Sequence, residues 1–170
     1  EEDMVSVLKE LLTYNRSHKK VLKLLGETYV SLSRDNDALD IYMSLYNVNK
    51  TDFTVTLEIA KIYTALDEYK NAYNWVEKAI DISGGKGETY FQRAEVIFAL
   101  AENCSGELLT FEDKIVFELS YIDYVKAVQK GYHRAKTRRD FVGDNNITKS
   151  SDWFMRPDSE RNFTPRSDCY

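Results

Sequence analysis

Apolar residues recur along most of this chain with the period of an amphipathic helix, and the amphipathic stretches themselves repeat. In the stretch from Val21 to Tyr29, Leu22, Leu25 and Tyr29 fall on one face at helical spacing, with Lys23 and Glu27 on the other. A five-residue polar turn, Ser33-Arg34-Asp35-Asn36-Asp37, follows, and then a second stripe of Ala38, Ile41, Tyr42 and Leu45. A stripe, a short polar turn and a stripe predict an antiparallel helical hairpin. The same logic predicts helices near residues 3–15, 19–32, 35–47, 52–66, 69–82, 86–103 and 111–131.

The repeat is visible in its small residues. Gly26, Ala60 and Ala94 are spaced by 34, and so are Ala38 and Ala72. Tyr29 and Tyr63 follow the first set in register, with Ile97 in the third copy, while Leu22, Thr56 and Tyr90 precede it. Small side chains at fixed places on two facing helices let their backbones approach. A single hairpin is too thin to cover its own apolar face, so copies stack.

These columns resemble the tetratricopeptide repeat (TPR), a 34-residue helix-turn-helix. Residues 19–52 and 53–86 match over their full length, and 87–101 match the first helix of a third copy. Its second helix is displaced: Ser120, Tyr124 and Ala127 fit the pattern after about 14 extra residues, which include Asn103-Cys104-Ser105-Gly106-Glu107. Stepping back 34 from Ala38, Tyr42 and Leu45 reaches Met4, Leu8 and Leu11, so residues 3–15 read as the second helix of a truncated earlier copy. The chain is thereby expected to be the C-terminal part of a longer array. The resemblance implies an all-α solenoid, a right-handed superhelix of hairpins. Its divisions would be a truncated repeat at 1–18, repeats at 19–52 and 53–86, a third repeat with an insertion at 87–131, and an irregular cap at 132–170. The end of the chain, with Phe111-Glu112-Asp113-Lys114, Ile147-Thr148-Lys149, Trp153-Phe154 and Asp168-Cys169-Tyr170, resembles the cap of multi-repeat TPR proteins of Bacteroidetes-type bacteria. It departs from that pattern at Ile147 (for proline), at Ser150 and Ser151 (for an acidic pair) and at Tyr170 (for tryptophan).

In TPR arrays the first helix of each hairpin lines a concave groove. The resemblance therefore implies a groove of Lys20, Lys23, Glu27, Thr54, Leu57, Glu58, Lys61, Phe91, Gln92, Glu95 and Phe98, suited to a peptide or a partner helix. For Phe91 and Phe98 a second reading stands beside this one, in which they pack under the next helix as core. TPR domains that grip chaperone C-termini use Lys, Asn and Arg at fixed groove positions. Lys23 fits that set, but Glu27, Glu58, Glu88 and Gln92 do not, and three carboxylates there would repel a terminal carboxylate. The expected ligand is therefore a protein or peptide other than a chaperone tail. The resemblance also permits export, in which case Cys104 and Cys169 would pair; in a cytosolic protein they would be two free thiols.

Composition narrows the alternatives. The 170 residues are 43% apolar and carry a net charge of −5. Residues 1–133 hold 15 basic and 22 acidic side chains, a balance of −7, whereas 134–170 hold 8 and 6, or +2. An acidic body offers no concentrated positive face for nucleic acid. The one basic cluster, Arg134, Lys136, Arg138 and Arg139, reads as the complement of a helix C-terminus. The longest apolar run, Val96 to Ala101, is far short of the roughly 20 residues that span a bilayer. The opening Glu1-Glu2-Asp3 does not read as a signal peptide. His18 and His133 lack a nearby acid-base partner in sequence, and no phosphate loop or metal-ligand spacing occurs, so neither an enzyme nor a cofactor or metal site is expected. Five Asn-x-Ser/Thr sequons, at Asn15, Asn49, Asn103, Asn146 and Asn162, read as chance in a bacterial sequence. Two functions remain. One is a scaffold that binds a partner segment. The other is a structural module whose groove is filled by its own tail, where Trp153, Phe154, Met155, Phe163 and Tyr170 interleave with Arg156, Arg161 and Arg166, or by a neighbouring subunit.

Overall fold

The computed structural model describes residues 2–154, 156, 169 and 170. Among them every regular element is helical: α1 (Glu2–Tyr14), α2 (Lys19–Ser31), α3 (Asp35–Val48), α4 (Phe53–Ala65), α5 (Tyr69–Ser83), α6 (Gly87–Cys104), α7 (Phe111–Gln129), α8 (Lys136–Asn145) and α9 (Ser150–Phe154), with a 3-10 turn at His133–Ala135. The seven expected helices are all present and end within two residues of their expected bounds. Residues 132–154, expected to be irregular, instead hold the 3-10 turn, α8 and α9. None of the described helices is long and apolar enough to cross a membrane. Of the tail residues singled out above, Met155, Arg161, Phe163, Arg166 and Asp168, with the sequon at Asn162, lie outside the described residues. The chain divides into two compact units, Glu1–Gly85 and Lys86–Tyr170.

In the first unit α2 pairs with α3 and α4 with α5, while α1 packs on α2 and α3 on α4. The 34-residue repeat extends to the backbone. Ser33 (φ 54°) and Asp67 (φ 58°), 34 positions apart, are the only described non-glycine residues in the left-handed region. At each turn the next amide donates back to a tyrosine carbonyl: Arg34 to Tyr29 at 2.9 Å and Glu68 to Tyr63 at 2.8 Å. A left-handed residue costs about 1–2 kcal/mol, so both hairpins tolerate the same local strain to close the same turn. Asp52 caps α4, its carboxylate accepting from the amides of Thr54 (3.1 Å) and Val55 (3.4 Å). Gly84 (φ 69°) and Gly85 (φ 77°) stop α5.

The small columns do the packing expected of them. Ala38, Ala60, Ala72 and Ala94 are fully buried. Gly26 lies against the Tyr42 ring so closely that a Cβ built on it would sit 2.8 Å from Tyr42 Cε2. Tyr46 of α3 meets Trp75 of α5 edge to face with centroids 4.8 Å apart, and Lys78 Nζ lies 3.9 Å from the Trp75 ring centre.

In the second unit α6 and α7 form the third hairpin, joined through residues 105–110, and α8 packs on α7. Phe98 meets Phe117 at 5.2 Å, and Arg93 holds the buried Asp123 by two hydrogen bonds of 2.6 and 2.7 Å. Thr110 and Asp113 form a capping box at the start of α7. The cap segments named above meet on this first turn. Trp153 stands edge-on to Phe111 at 4.9 Å, Lys114 pairs with Asp152 at 2.7 Å, and the Tyr170 hydroxyl donates to Asp113. Burial would raise the Asp113 pKa, but hydrogen bonds from Tyr170 and Thr110 outweigh it and hold the carboxyl below its ordinary value. A disulfide joins Cys104 to Cys169, with Cα atoms 5.8 Å apart across 65 positions of sequence.

Candidate functional site

The first unit holds a cleft of 280 Å³ between α2, the end of α3 and the start of α4. Lys19, Lys23 and Glu27 line it from α2, Tyr42 and Leu45 from α3, and Thr54, Val55 and Glu58 from α4, with Asn49 and Asp52 at the connecting turn. The helical register explains this set: residues at intervals of four on α2 and α4 point the same way, and the α3–α4 turn brings the two helices' starts side by side.

Tyr42 distinguishes this cleft from an ordinary surface furrow. The residue is 3% exposed, its ring wedged against Gly26, yet it lines the cleft. Its hydroxyl makes no hydrogen bond among the described residues. Burial, then the nearby charges of Glu58 and Glu27, push its pKa well up, so the phenol stays neutral with its oxygen lone pairs and proton unspent. The carboxylates beside it are held loosely. Glu27 is 3.8 Å from Lys23, and Glu58 is 2.7 Å from Lys61, all four on exposed or half-exposed side chains. Such pairs are worth about 0–1 kcal/mol each and are easily exchanged.

Nine of the eleven groove residues expected from the repeat register divide into three groups. Lys23, Glu27, Thr54 and Glu58 line the cleft together. Lys20 and Lys61 are exposed outside its lining, Lys61 reaching it only through Glu58. Leu57, Gln92 and Phe98 are buried at 2%, 6% and 2% exposure, so they do not line an open surface. The reason is the width of the buried arc. Helix α4 packs on both α3 and α5, which encloses Thr56, Leu57, Ile59, Ala60 and Ile62 together. Lys19, Tyr42, Leu45, Asn49, Asp52 and Val55 line the cleft and were not among the expected residues. Tyr42 read as a packing residue because its ring is one, and nothing in the periodicity reports where a hydroxyl emerges.

On α6 the corresponding face is covered by the chain's own later segment. Phe91 packs between the Tyr124 and Tyr132 rings at 5.8 and 5.2 Å. Glu95 accepts from Tyr124 Oη at 2.6 Å and from Arg138 Nε and Nη2 at 3.0 and 3.1 Å, while the Arg138 guanidinium lies 4.5 Å from the Phe98 ring centre. The basic cluster therefore does not complement the C-terminus of α7, which ends at Gln129: Lys136, Arg138 and Arg139 belong to α8, and Arg138 is spent on Glu95. Glu88, the other residue weighed against a chaperone clamp, is exposed in the first turn of α6. Among the described residues no group of His, Cys, Asp and Glu could hold a metal ion.

No protein-family model matches the sequence, and a search of curated proteins finds no relative. Solved structures do resemble it. A crystal structure of MamA aligns with a TM-score of 0.63 at 17% identity, covering 82% of this chain and 75% of that one. A MamA RS-1 ArsTM double mutant aligns at 0.62 and 13% identity, over 85% and 76%. The first TPR of Spaghetti (RPAP3), solved with an HSP90 peptide, SRMEEVD, aligns at 0.58 and 17% identity, over 74% and 90%.

Proposed function

From a chain that carries the tetratricopeptide-repeat fold, we propose a protein-interaction scaffold without catalytic activity, which binds an extended peptide or a partner helix in the cleft between α2, α3 and α4. The observation that carries this reading is Tyr42: a buried phenol aimed into a lined cleft, with no partner among the described residues. Among the described residues the buried side-chain polar atom without a partner is Asn146 Oδ1, so the Tyr42 hydroxyl reaches the open cleft, where a ligand can take its hydrogen bond. Glu27, Asp52 and Glu58 around it disfavour a C-terminal carboxylate as that ligand.

The structural reading is supported for the second unit, where Arg138 of α8 and Tyr132 of the turn after α7 cover the α6 face. The two roles thus divide between the units: the second closes on itself, and the first keeps a surface for others. Its disulfide fits a working place that is oxidising, outside the cytosol.

Selection of a random 12-residue displayed peptide library on the full chain tests the binding role. Enriched peptides should lose at least about tenfold in affinity against Lys23→Trp, which fills the cleft from an exposed position. Peptides that bind this variant unchanged would place the binding surface elsewhere.

A further inference from the structure

The chain contains an internal example of what its groove chemistry binds. By the 34-residue register, Glu95 is the counterpart of Glu27 two repeats on, as Ala94 is of Gly26. Tyr124 is the counterpart of Tyr42 once the 14-residue insertion is counted, as Ser120 is of Ala38 and Ala127 of Leu45. In the second unit this glutamate and tyrosine are occupied. Tyr124 Oη donates to Glu95, and the Arg138 guanidinium grips both oxygens of the same carboxylate at 3.0 and 3.1 Å. In the first unit the same pair lines the cleft with no arginine on it, and Glu58 adds a second carboxylate from α4.

We propose that the cleft receives the guanidinium of an arginine on a partner peptide, held bidentately by Glu27 as Arg138 is by Glu95, with Glu58 and the Tyr42 hydroxyl as its further acceptors. A guanidinium has five donors in a planar fork and no acceptor, which matches two carboxylates and a phenol oxygen converging from three helices. Lys23 and Lys61 must yield, and both are exposed single-point partners that a fork displaces. Asp52 takes no part, being committed to the α4 cap. One element is missing: the counterpart of Phe98, whose ring lies under Arg138, is the half-exposed Val30. A single arginine should therefore bind weakly and gain strength from the rest of its peptide. This inference rests on the cleft being the binding surface.

The test uses the full chain, 15N-labelled, titrated with the capped pentapeptide Ac-SLRLS-NH2 and with versions carrying lysine, citrulline or glutamate in place of arginine. The arginine peptide is expected to shift the amides of Glu27, Tyr42 and Glu58 and to bind about tenfold tighter than the citrulline version. Glu27→Gln and Glu58→Gln should each abolish most of that preference. Tyr42→Phe, which keeps the ring, should reduce it about threefold, the free spectra confirming that each variant is folded. Equal binding of the arginine, lysine and citrulline versions at the cleft would overturn the guanidinium assignment and leave the cleft as a binding surface. Preference for the glutamate version would do the same. If none of the four perturbs the cleft up to about 10 mM, well beyond the millimolar affinity such a contact should give, both this inference and the binding reading fall.

Discussion

Gly26→Ala sets two quantities against each other. In the middle of a helix, alanine is favoured over glycine by about 1 kcal/mol, and Gly26 lies well inside α2. The new methyl, however, would sit 2.8 Å from Tyr42 Cε2 and 3.2 Å from Cδ2 and Cζ. Carbon atoms rest at about 3.5–4.0 Å, so the ring must retreat by roughly 0.7 Å or more, and Tyr42 is only 3% exposed. Overpacking a filled core costs about 1–3 kcal/mol, which outweighs the propensity gain and leaves a net loss of about 0–2 kcal/mol. The next hairpin shows the compensated version, with Ala60 and Val76, both fully buried, at the two corresponding positions. Tyr42→Val should therefore reverse the sign of Gly26→Ala, and the double-mutant cycle should give a coupling of about 1–3 kcal/mol. Urea unfolding of the four proteins measures it. If Gly26→Ala alone stabilises the wild type by the full 1 kcal/mol of its helix propensity, the Tyr42 ring is not wedged and the packing argument is wrong. The same displacement should weaken any ligand that uses the Tyr42 hydroxyl.

Other perturbations have equally direct outcomes. Ala60→Leu should cost roughly 1–3 kcal/mol by overpacking the α4–α5 crossing, read from the urea midpoint. Replacing Cys104 and Cys169 by serine together opens a 65-residue loop worth about 4 kcal/mol in the chain-entropy account, visible as a lower melting temperature of the second unit. Arg93→Ala strands the buried Asp123 carboxylate and should cost about 3–5 kcal/mol. Asp152 is held below its ordinary pKa first by Lys114, and Asp113 below its own by Tyr170 and Thr110 against burial. Depressed carboxyls contribute stability above their unfolded pKa, about 3.9, which is lost as pH falls through the lower folded values. Trp153 emission in a Trp75→Phe background should therefore hold steady at neutral pH and change below about pH 4.

The helices were legible because the packing that makes them recurs. Gly26, Ala60 and Ala94 report a close helix approach three times over, and a feature repeated at 34 residues is hard to produce by chance. The turns share a left-handed residue at Ser33 and Asp67 that no composition rule marks, since neither is glycine. The candidate site was legible only in part. The register gave the direction of Lys23, Glu27, Thr54 and Glu58, but not how wide an arc the neighbouring helices bury, so Leu57 and Gln92 were placed outside and lie inside, while Phe98 takes the core place that was its second reading. Arg138 meets Glu95 across 43 positions of sequence, inside no repeat, and only a folded chain reveals that pair. Tyr42 shows the same limit on a smaller scale: periodicity places a residue, while its function depends on where its last atom ends.

Chemical-shift mapping of a peptide selected on the full chain decides whether the cleft between α2, α3 and α4 is where a ligand binds. Perturbations are expected on α2, the end of α3 and the start of α4, with Glu27, Tyr42, Thr54 and Glu58 prominent and the Glu95–Tyr124–Arg138 cluster unmoved. Perturbations centred instead on that cluster would mean that the ligand displaces α8, and that the open cleft of the first unit is not the binding surface.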